Sequence, residues 1–437
     1  MTEFFSFLQS KFFPLVLGLS FISCVSAVTI DEAFNSALKV DPALRSSRYN
    51  QEASSENIAI ARSRLLPQIS LQGSSNQLTQ STTHDLPGNT SISKSFTGPS
   101  SNHQLVIRQA LLRPKERAAL NFAELQAEYG KVKYQSDLSE LWFRVAYAWI
   151  DLVGAAQLVD VYKKPLISLQ EAAKQENARF MLGDGTKDLA AEAEAQSQLA
   201  HSIYRQALQS LSAKQKTFFT LTQIEPTNLT GIRLNLEPKI LFSEYDQFEI
   251  QKFLKDKSFD LRLAEIQLQL QRERLRMAQA DHLPTLDALA TWSKAKNDAT
   301  STQGYQYKNN QMGIQYVIPI YAGGATSAGE RQAALSLESS TSELQVIANK
   351  VETDFQFTWS TWVGLVARVQ SGTVLIKSSS HQLNATVLAN VHGVKSVSDV
   401  ANSELALAKR IADQINLVID YQKYTLRLSS REKYLFQ

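Results

Sequence analysis

A chain of 437 residues that is 43% hydrophobic and 20% charged is neither disordered nor a multi-span helical membrane protein, and by length alone it would make two or three globular domains. Its net charge of +3, without any polybasic run, argues against a nucleic-acid partner. One cysteine, Cys24, leaves no disulfide framework.

Residues 1–27 carry Lys11, an apolar run from Phe12 to about Val25, and Val25-Ser26-Ala27 in small-x-small spacing, so they read as a secretory signal peptide. Two alternatives stand beside cleavage at Ala27. A retained anchor would need a longer apolar run, and lipidation at Cys24 would have to tolerate Phe21 at the start of its recognition sequence. Past residue 28 no window holds roughly 18 uncharged apolar residues. If the mature chain lies in a membrane, only a closed β-barrel can put it there.

Thr29 and Glu32 have capping-box spacing, and Asp41-Pro42 supplies an N-cap followed by proline at the first helical position. Two helices should follow, the second running to Leu66-Pro67. From Pro114 to about Met181 the chain is helix-friendly; if continuous it would span about 100 Å at 1.5 Å per residue. Pro165 should kink or break it. Between Leu261 and Met277 two apolar stripes alternate, Leu261, Leu268 and Leu275 against Leu263, Ile266, Leu270 and Met277. Gln267, Gln271 and Arg274 lie between them on one side; Glu265, Gln269, Glu273 and Arg276 lie on the other. A surface helix needs one stripe. Two predict a helix wedged between helical neighbours with both remaining faces wet, as in the wall of a tube.

The chain repeats itself at about 210 to 217 residues. "RSRLLPQISLQG" matches "QADHLPTLDALA", "HQLVIRQALLR" matches "MGIQYVIPIYA", and "RFMLGDGTKDL" matches "NVHGVKSVSDV". The organisation is therefore a first repeat over 28–223, a Pro-bearing linker or equatorial segment over 224–245, and a second repeat over 246–437. Each repeat runs helix, strand, loop, strand, long helix, turn, helix.

Strands are expected at about 68–78, 102–112, 285–294 and 310–320. Met312, Ile314, Tyr316, Ile318 and Ile320 alternate with Gln311, Gly313, Gln315, Val317 and Pro319; Leu105, Ile107 and Leu111 alternate with Gln104, Arg108 and Ala110, Gln109 interrupting the apolar set. About 10 residues of such alternation suit a tilted crossing of a bilayer core. The connections over 81–100 and 295–309 are rich in Ser, Thr, Asn and Gly and read as long external loops. A soluble sandwich is the commoner use of four short strands, but the flanking helices are too long for one. Four strands cannot close a membrane barrel, whose smallest members have about 8, so the chain must oligomerise; a cyclic trimer gives 12. A dimer's 8 would leave an interior filled by side chains.

The six histidines show no metal-ligand spacing, and no phosphate loop or nucleophile elbow occurs. No catalytic, cofactor-binding or metal-binding residues are assigned, and the chain is expected not to be an enzyme. Trp142, Phe143, Tyr147 and Trp149, echoed by Phe355, Phe357, Trp359 and Trp362, read as packing residues.

The leader, "RSRLLPQISL", "LPTLDALATWSK", "YVIPIYAGG", "ARFMLGDGTKDL" and the twofold repeat together resemble the TolC family of outer membrane efflux and secretion channels, over essentially the whole mature chain. The resemblance implies a mainly α fold with membrane β: a homotrimer forming a 12-stranded β-barrel continuous with a long periplasmic α-helical barrel. It also implies residence in outer membrane lipid, with a periplasmic adaptor and an inner-membrane transporter of ABC, RND or MFS type as partners. The implied function is passive conduction by an exit duct of a tripartite efflux pump or type I secretion system. The alternative is a periplasmic helical-hairpin adaptor without a pore.

The family's periplasmic tip falls at the repeat turns near Gly183 and Gly393, and the strand-to-helix joints at Pro114 and at Pro319, Gly323 and Gly324. Asp399 matches the first constriction aspartate of the family pattern and Asn402 replaces the second, so three copies would present one carboxylate ring, whose members should raise each other's pKa. Asp188 matches the family's latch aspartate in a turn one residue shorter, while Asn390, Lys395 and Lys187 depart from the Tyr, Arg and Thr of the pattern. Asp188 and Asp399 are equally suited to capping helix starts.

Overall fold

The computed structural model describes residues 29–88, 90–226, 233–238, 242, 246–298 and 305–429. The signal peptide, Cys24 and much of the linker lie outside the described residues.

The first repeat opens on α1 (Ile30–Val40), where Glu32 N–H donates to Thr29 Oγ1 at 3.2 Å and Thr29 N–H to Glu32 Oε2 at 3.0 Å, the expected reciprocal box. It continues through α2 (Pro42–Ser63), β1 (Gln68–Leu86), β2 (Thr90–Leu112), α3 (Pro114–Met181) and α4 (Lys187–Thr222). The second comprises α5 (Gln247–Asp256), α6 (Phe259–Ala280), β3 (Thr285–Asn297), β4 (Tyr305–Val317), α7 (Ala325–Val391) and α8 (Val397–Ser429). The repeat is visible in element lengths: α2 and α6 have 22 residues each, and α3 and α7 have 68 and 67. The starts agree too, since Asp41 caps α2 through Leu44 N–H at 2.7 Å and Ser258 caps α6 through Leu261 N–H at 3.4 Å.

Pro165 does not break α3, which runs unbroken from Pro114 to Met181. A proline inside a helix costs about 3 kcal/mol. Here it is buried beside Leu166 and Leu169, which pack with Ala200 of α4 and Leu405 of α8, and that packing offsets the lost hydrogen bond. Among the described helices only α3 has a stretch long and apolar enough to cross a bilayer by composition, and half of that stretch is buried inside the protein. It is core.

The wedged helix is α6, which lies between α3 and α7. Ile266 and Leu270 meet Val132, Phe122 and Leu125 of α3, while Gln279 at the far end bonds Glu330 of α7. The expectation of two wet faces needs correction, because Gln271 and Glu273 are buried. Arg276 pairs with Glu273 and Arg274 donates to Gln271 at 3.3 Å, so each polar face is partly folded onto itself.

All four strands form one antiparallel meander, β1-β2-β3-β4. The inner ends begin where expected, after Pro67 and Pro284, but β1 and β2 continue far past the expected ends, so most of 81–100 is paired strand rather than loop. Thr79 and Thr97, Ser81 and Ser95, and Thr83 and Ser93 join hydroxyls at 3.0 to 3.2 Å across that extension. β3 and β4 likewise take in 295–297 and 305–309; β4 ends at Val317, so Pro319 stands beyond it.

The core lies at mid-length of the long helices. Phe355, Trp359, Trp362, Ile415 and Val418 form one cluster and Phe34, Leu141, Trp142, Leu152 and Phe218 a second. The aromatic echo is packing at all of these positions, but Phe357 is 62% exposed and faces away. The described part of the linker crosses this waist: Leu234 is buried in the first cluster, Phe242 stands edge-on to Trp362 at 5.6 Å, and buried Gln157 and Gln414 donate to the carbonyls of Leu234 at 3.3 Å and Leu236 at 2.9 Å.

Candidate functional site

The pairing register sorts the sheet into two faces, because directly opposed residues share a face. One face carries the rows Ile69–Ile107–Ala290–Met312 and Leu71–Leu105–Trp292–Asn310, with Ala288–Ile314 and Leu286–Tyr316 towards the helices. Ile69, Leu71, Met312, Ile314 and Tyr316 are exposed, so no part of the protein covers them. Past the end of β4, Ile318 and Ile320 are exposed too and continue the every-second-residue apolar pattern in the sequence. From Asn310 to Ile320 is about 34 Å at roughly 3.4 Å per residue, or about 25 Å in height after a tilt of roughly 40°, the thickness of a barrel's apolar band. The opposite face bears Gln68, Arg108, Gln104, Thr291, Gln311, Gln315 and Gly313, with Val106, Ala110, Leu289 and Val317 as apolar exceptions. It suits water.

At the joint, Pro114 occupies the first position of α3, where no N–H is required. Gly323 and Gly324 have φ of +63° and +83°, a left-handed pair that side chains resist, and Gly324 caps α7. Pro319 lies between the end of β4 and this turn. A contact not legible in the sequence locks the joint: Arg113 Nε donates to Asp287 Oδ1 at 2.9 Å and Arg113 Nη2 reaches Oδ2, with Asp287 only 6% exposed and Arg113 also 3.5 Å from Glu116. Its only sequence signal was an aspartate in a strand.

At the other end, both repeat turns pivot on glycines in the left-handed region, Gly183 at φ +79° and Gly393 at +73°. Met181, Leu182, Val391 and Val394 are exposed around them. In the second turn Ser396 and Asp399 make a capping box: Asp399 N–H donates to Ser396 Oγ at 3.0 Å, and Ser396 N–H donates back to Asp399 Oδ2 at 2.8 Å. Lys395 Nζ is 3.4 Å from Asp399 Oδ1, and Asn390 Nδ2 donates to the Lys395 carbonyl at 2.7 Å. Within one copy of the chain, the Ser396 hydrogen bonds, then Lys395, hold the Asp399 carboxyl below its ordinary value. Asn402 is half-buried one turn along α8. In the first turn Thr186, not Asp188, caps α4 through Leu189 N–H at 3.3 Å. Lys187 and Asp188 follow it, exposed in the first turn of α4. Nothing in the sequence marks the ion pairs here, in which Arg179 reaches buried Glu176 at 3.5 Å and Asp184 at 3.8 Å.

Among the described residues no group of three or more His, Cys, Asp or Glu could hold a metal ion. The arrangement offers a two-faced sheet at one end and a pair of exposed turns at the other, joined by a helical scaffold.

Comparison with known proteins agrees with this geometry. A family model described as outer membrane efflux protein matches residues 33–222 and 252–430. The chain is 24% identical to the outer membrane protein TolC of Escherichia coli over 97% of its own length and 86% of that protein's. It is also 24% identical to the alkaline protease secretion protein AprF of Pseudomonas aeruginosa, over 92% and 84% of the two chains. In structure it matches the open-state MtrE outer membrane channel of Neisseria gonorrhoeae with a TM-score of 0.71 at 18% identity, covering 91% of this chain and 87% of that one. The CmeC outer membrane channel of Campylobacter jejuni matches with a TM-score of 0.70 at 15% identity, over 98% and 93%.

Proposed function

The chain belongs to the outer membrane efflux protein family, and on that premise we propose that it is an outer membrane exit duct for efflux or type I secretion. The observation that carries this reading is the two-faced sheet: an uncovered apolar face about as tall as a bilayer core, a polar face behind it, and helices of about 100 Å leaving its inner edge. The chain sits in the outer membrane with its helices in the periplasm. The hairpin-adaptor alternative finds no support, since an adaptor has no use for an uncovered apolar sheet.

Four strands are too few to enclose a pore, so three copies assemble, each contributing its β1 to β4 meander to a 12-stranded wall. The edges β1 and β4 of neighbouring copies then pair, and no strand edge is left open. Conduction is passive. Energy comes from an inner-membrane transporter of ABC, RND or MFS type reached through a periplasmic adaptor, which docks at the exposed turns around Gly183 and Gly393. Rest and opening differ in how closely α8 and its neighbours converge at the tip, where Asp399 and Asn402 line the constriction and Lys187, Asp188, Asn390 and Lys395 set its contacts.

The test is extraction of the full chain from outer membranes, mass determination in detergent and reconstitution in a planar bilayer. A trimeric mass with discrete conductance steps is expected; a monomer without conductance overturns the reading.

A further inference from the structure

Outward of the apolar band, the lipid-side face of the sheet turns basic within one pleat. Lys294 of β3 stands directly opposite Lys308 of β4 on one side and His103 of β2 on the other, and His103 stands opposite Gly73 of β1. This row lies two residues, about 7 Å, beyond the row of Leu71, Leu105, Trp292 and Asn310, and on the same face. His103, Lys294 and Lys308 are all exposed. A Cβ at Gly73 would lie 3.1 Å from His103 Nδ1, so the imidazole lies across the glycine and fills the fourth place in the row.

Like charges directly opposed on one face of a sheet destabilise it. Among the described residues no carboxylate lies within ion-pairing distance of Lys294 or Lys308, although Lys296, one row further out, has Asp298 at 2.8 Å. The inner row is left with two uncompensated ammonium groups on neighbouring strands, close enough to converge on one small anion. Its depth identifies the anion's source. Trp292 marks the outer edge of the apolar band, the level of the membrane–water interface, and lysines there lay their stems along apolar surface and lift their ammonium groups into the headgroup layer.

We propose that the Lys294–Lys308–His103 row binds the phosphate of an anionic lipid headgroup in the outer leaflet. The proposal rests on the duct reading, which turns this face of the sheet to lipid. The two ammonium groups and the imidazole donate to phosphate oxygens, and the acyl chains of the same lipid lie against Trp292, Leu105 and Leu71. One such site recurs on each copy around the barrel.

The test reconstitutes the full-length chain in phosphatidylcholine vesicles doped with bis-phosphorylated lipid A or, in parallel, with the same lipid freed of its phosphates. Lipid retained on the protein after gentle re-extraction is counted by native mass spectrometry. Retention of the phosphorylated over the dephosphorylated form is expected, falling roughly thirtyfold in Lys294→Gln/Lys308→Gln. Lys296→Gln, whose lysine already has a carboxylate, should keep the preference. Inorganic phosphate at equal concentration should not displace the lipid; displacement would mean a free-anion site and overturn the assignment to lipid. Equal retention of the two lipid forms, or by the double variant, also overturns it. Conductance in a planar bilayer separates the two levels of failure: a conducting protein without the lipid preference loses only this proposal, and a protein that neither inserts nor conducts loses the duct reading as well.

Discussion

Arg113, the residue before α3, and Asp287, the third residue of β3, form a two-point ion pair across the joint between sheet and helix, with Arg113 Nε 2.9 Å from Asp287 Oδ1. They lie 174 positions apart in the chain, one in each repeat, so the pair fixes the angle at which the first repeat's long helix leaves the second repeat's strand. Asp287→Asn removes the charge and leaves the partly buried guanidinium with the weaker Glu116 contact at 3.5 Å. It should lower unfolding stability by about 2 to 3 kcal/mol, less than a fully buried pair because Arg113 keeps some solvent. Denaturation in detergent micelles measures it, with Arg113→Gln and the double variant completing a cycle. Additive losses would show that the two residues do not act as a pair.

The sequence made local structure legible and long-range polar contacts illegible, for one physical reason. Pro114 begins α3, Pro67 and Pro284 stand immediately before β1 and β3, and Gly183 and Gly393 turn where left-handed backbone is needed, so each leaves its mark within a few residues. The outer halves of β1 and β2 escaped because neither face carries a continuous apolar row: Leu78, Phe96 and Ile92 are scattered among Ser, Thr and Gln. Without a buried face there is no alternation to read, and the Thr79–Thr97 ladder forms from the composition that elsewhere makes loops. Arg113–Asp287 and the Gln157 and Gln414 anchors join residues 77 to 178 positions apart; each residue alone is an ordinary polar side chain. At the tip, Ser396 takes the cap of α8 and Asp399, three residues on, bonds back to it, a division of roles that an aspartate near a helix start does not reveal by itself.

Gly372 and Gln414 illustrate how little space the waist leaves. A Cβ on Gly372 would lie 1.9 Å from Gln414 Oε1, while Gln414, 1% exposed, donates through Nε2 to the carbonyls of Val369 and Leu236. Gly372→Ala should displace the amide, cost about 1 to 3 kcal/mol despite alanine's better helix propensity, and free the linker around Leu236. Limited proteolysis should then cut near residues 233–238 at a rate the wild type does not show. An unchanged cleavage pattern would mean that Gln414 does not hold the linker.

Tyr147 gives an alkaline signature. Burial pushes its phenol up to about 12, opposed by Arg427 and assisted by Tyr424, and its hydroxyl donates to the Lys423 carbonyl at 3.4 Å. The folded value lies above the unfolded one of about 10, so the contribution is complete below pH 10 and is lost as pH rises towards 12. The denaturant midpoint should fall across that window, and Tyr147→Phe should flatten the part of the fall that belongs to this phenol. Identical slopes in the two proteins would place the titration elsewhere.

Asp399 separates two roles by the direction of one titration. As a capping residue in a single protomer it is held below the ordinary carboxylate value by Ser396 and Lys395. A depressed value means that its contribution is present above about pH 3.8 and is lost as pH falls through the folded value. As one of three carboxylates crowded at a constriction it would be pushed the other way, towards neutrality. Reversal potentials across a planar bilayer, measured in a salt gradient from pH 7 to pH 3, read the balance directly. With the capping contacts dominant, cation preference should persist down through pH 3.8 and collapse only below it. Asp399→Ala should lower the preference at every pH above that point and weaken block by multivalent cations. Ser396→Ala, which costs the helix start about 1 kcal/mol, should move the collapse to higher pH without abolishing the preference. A midpoint well above 3.8 in the wild type would mean that repulsion among the three copies outweighs the cap, and a selectivity untouched by Asp399→Ala would confine this residue to the helix start.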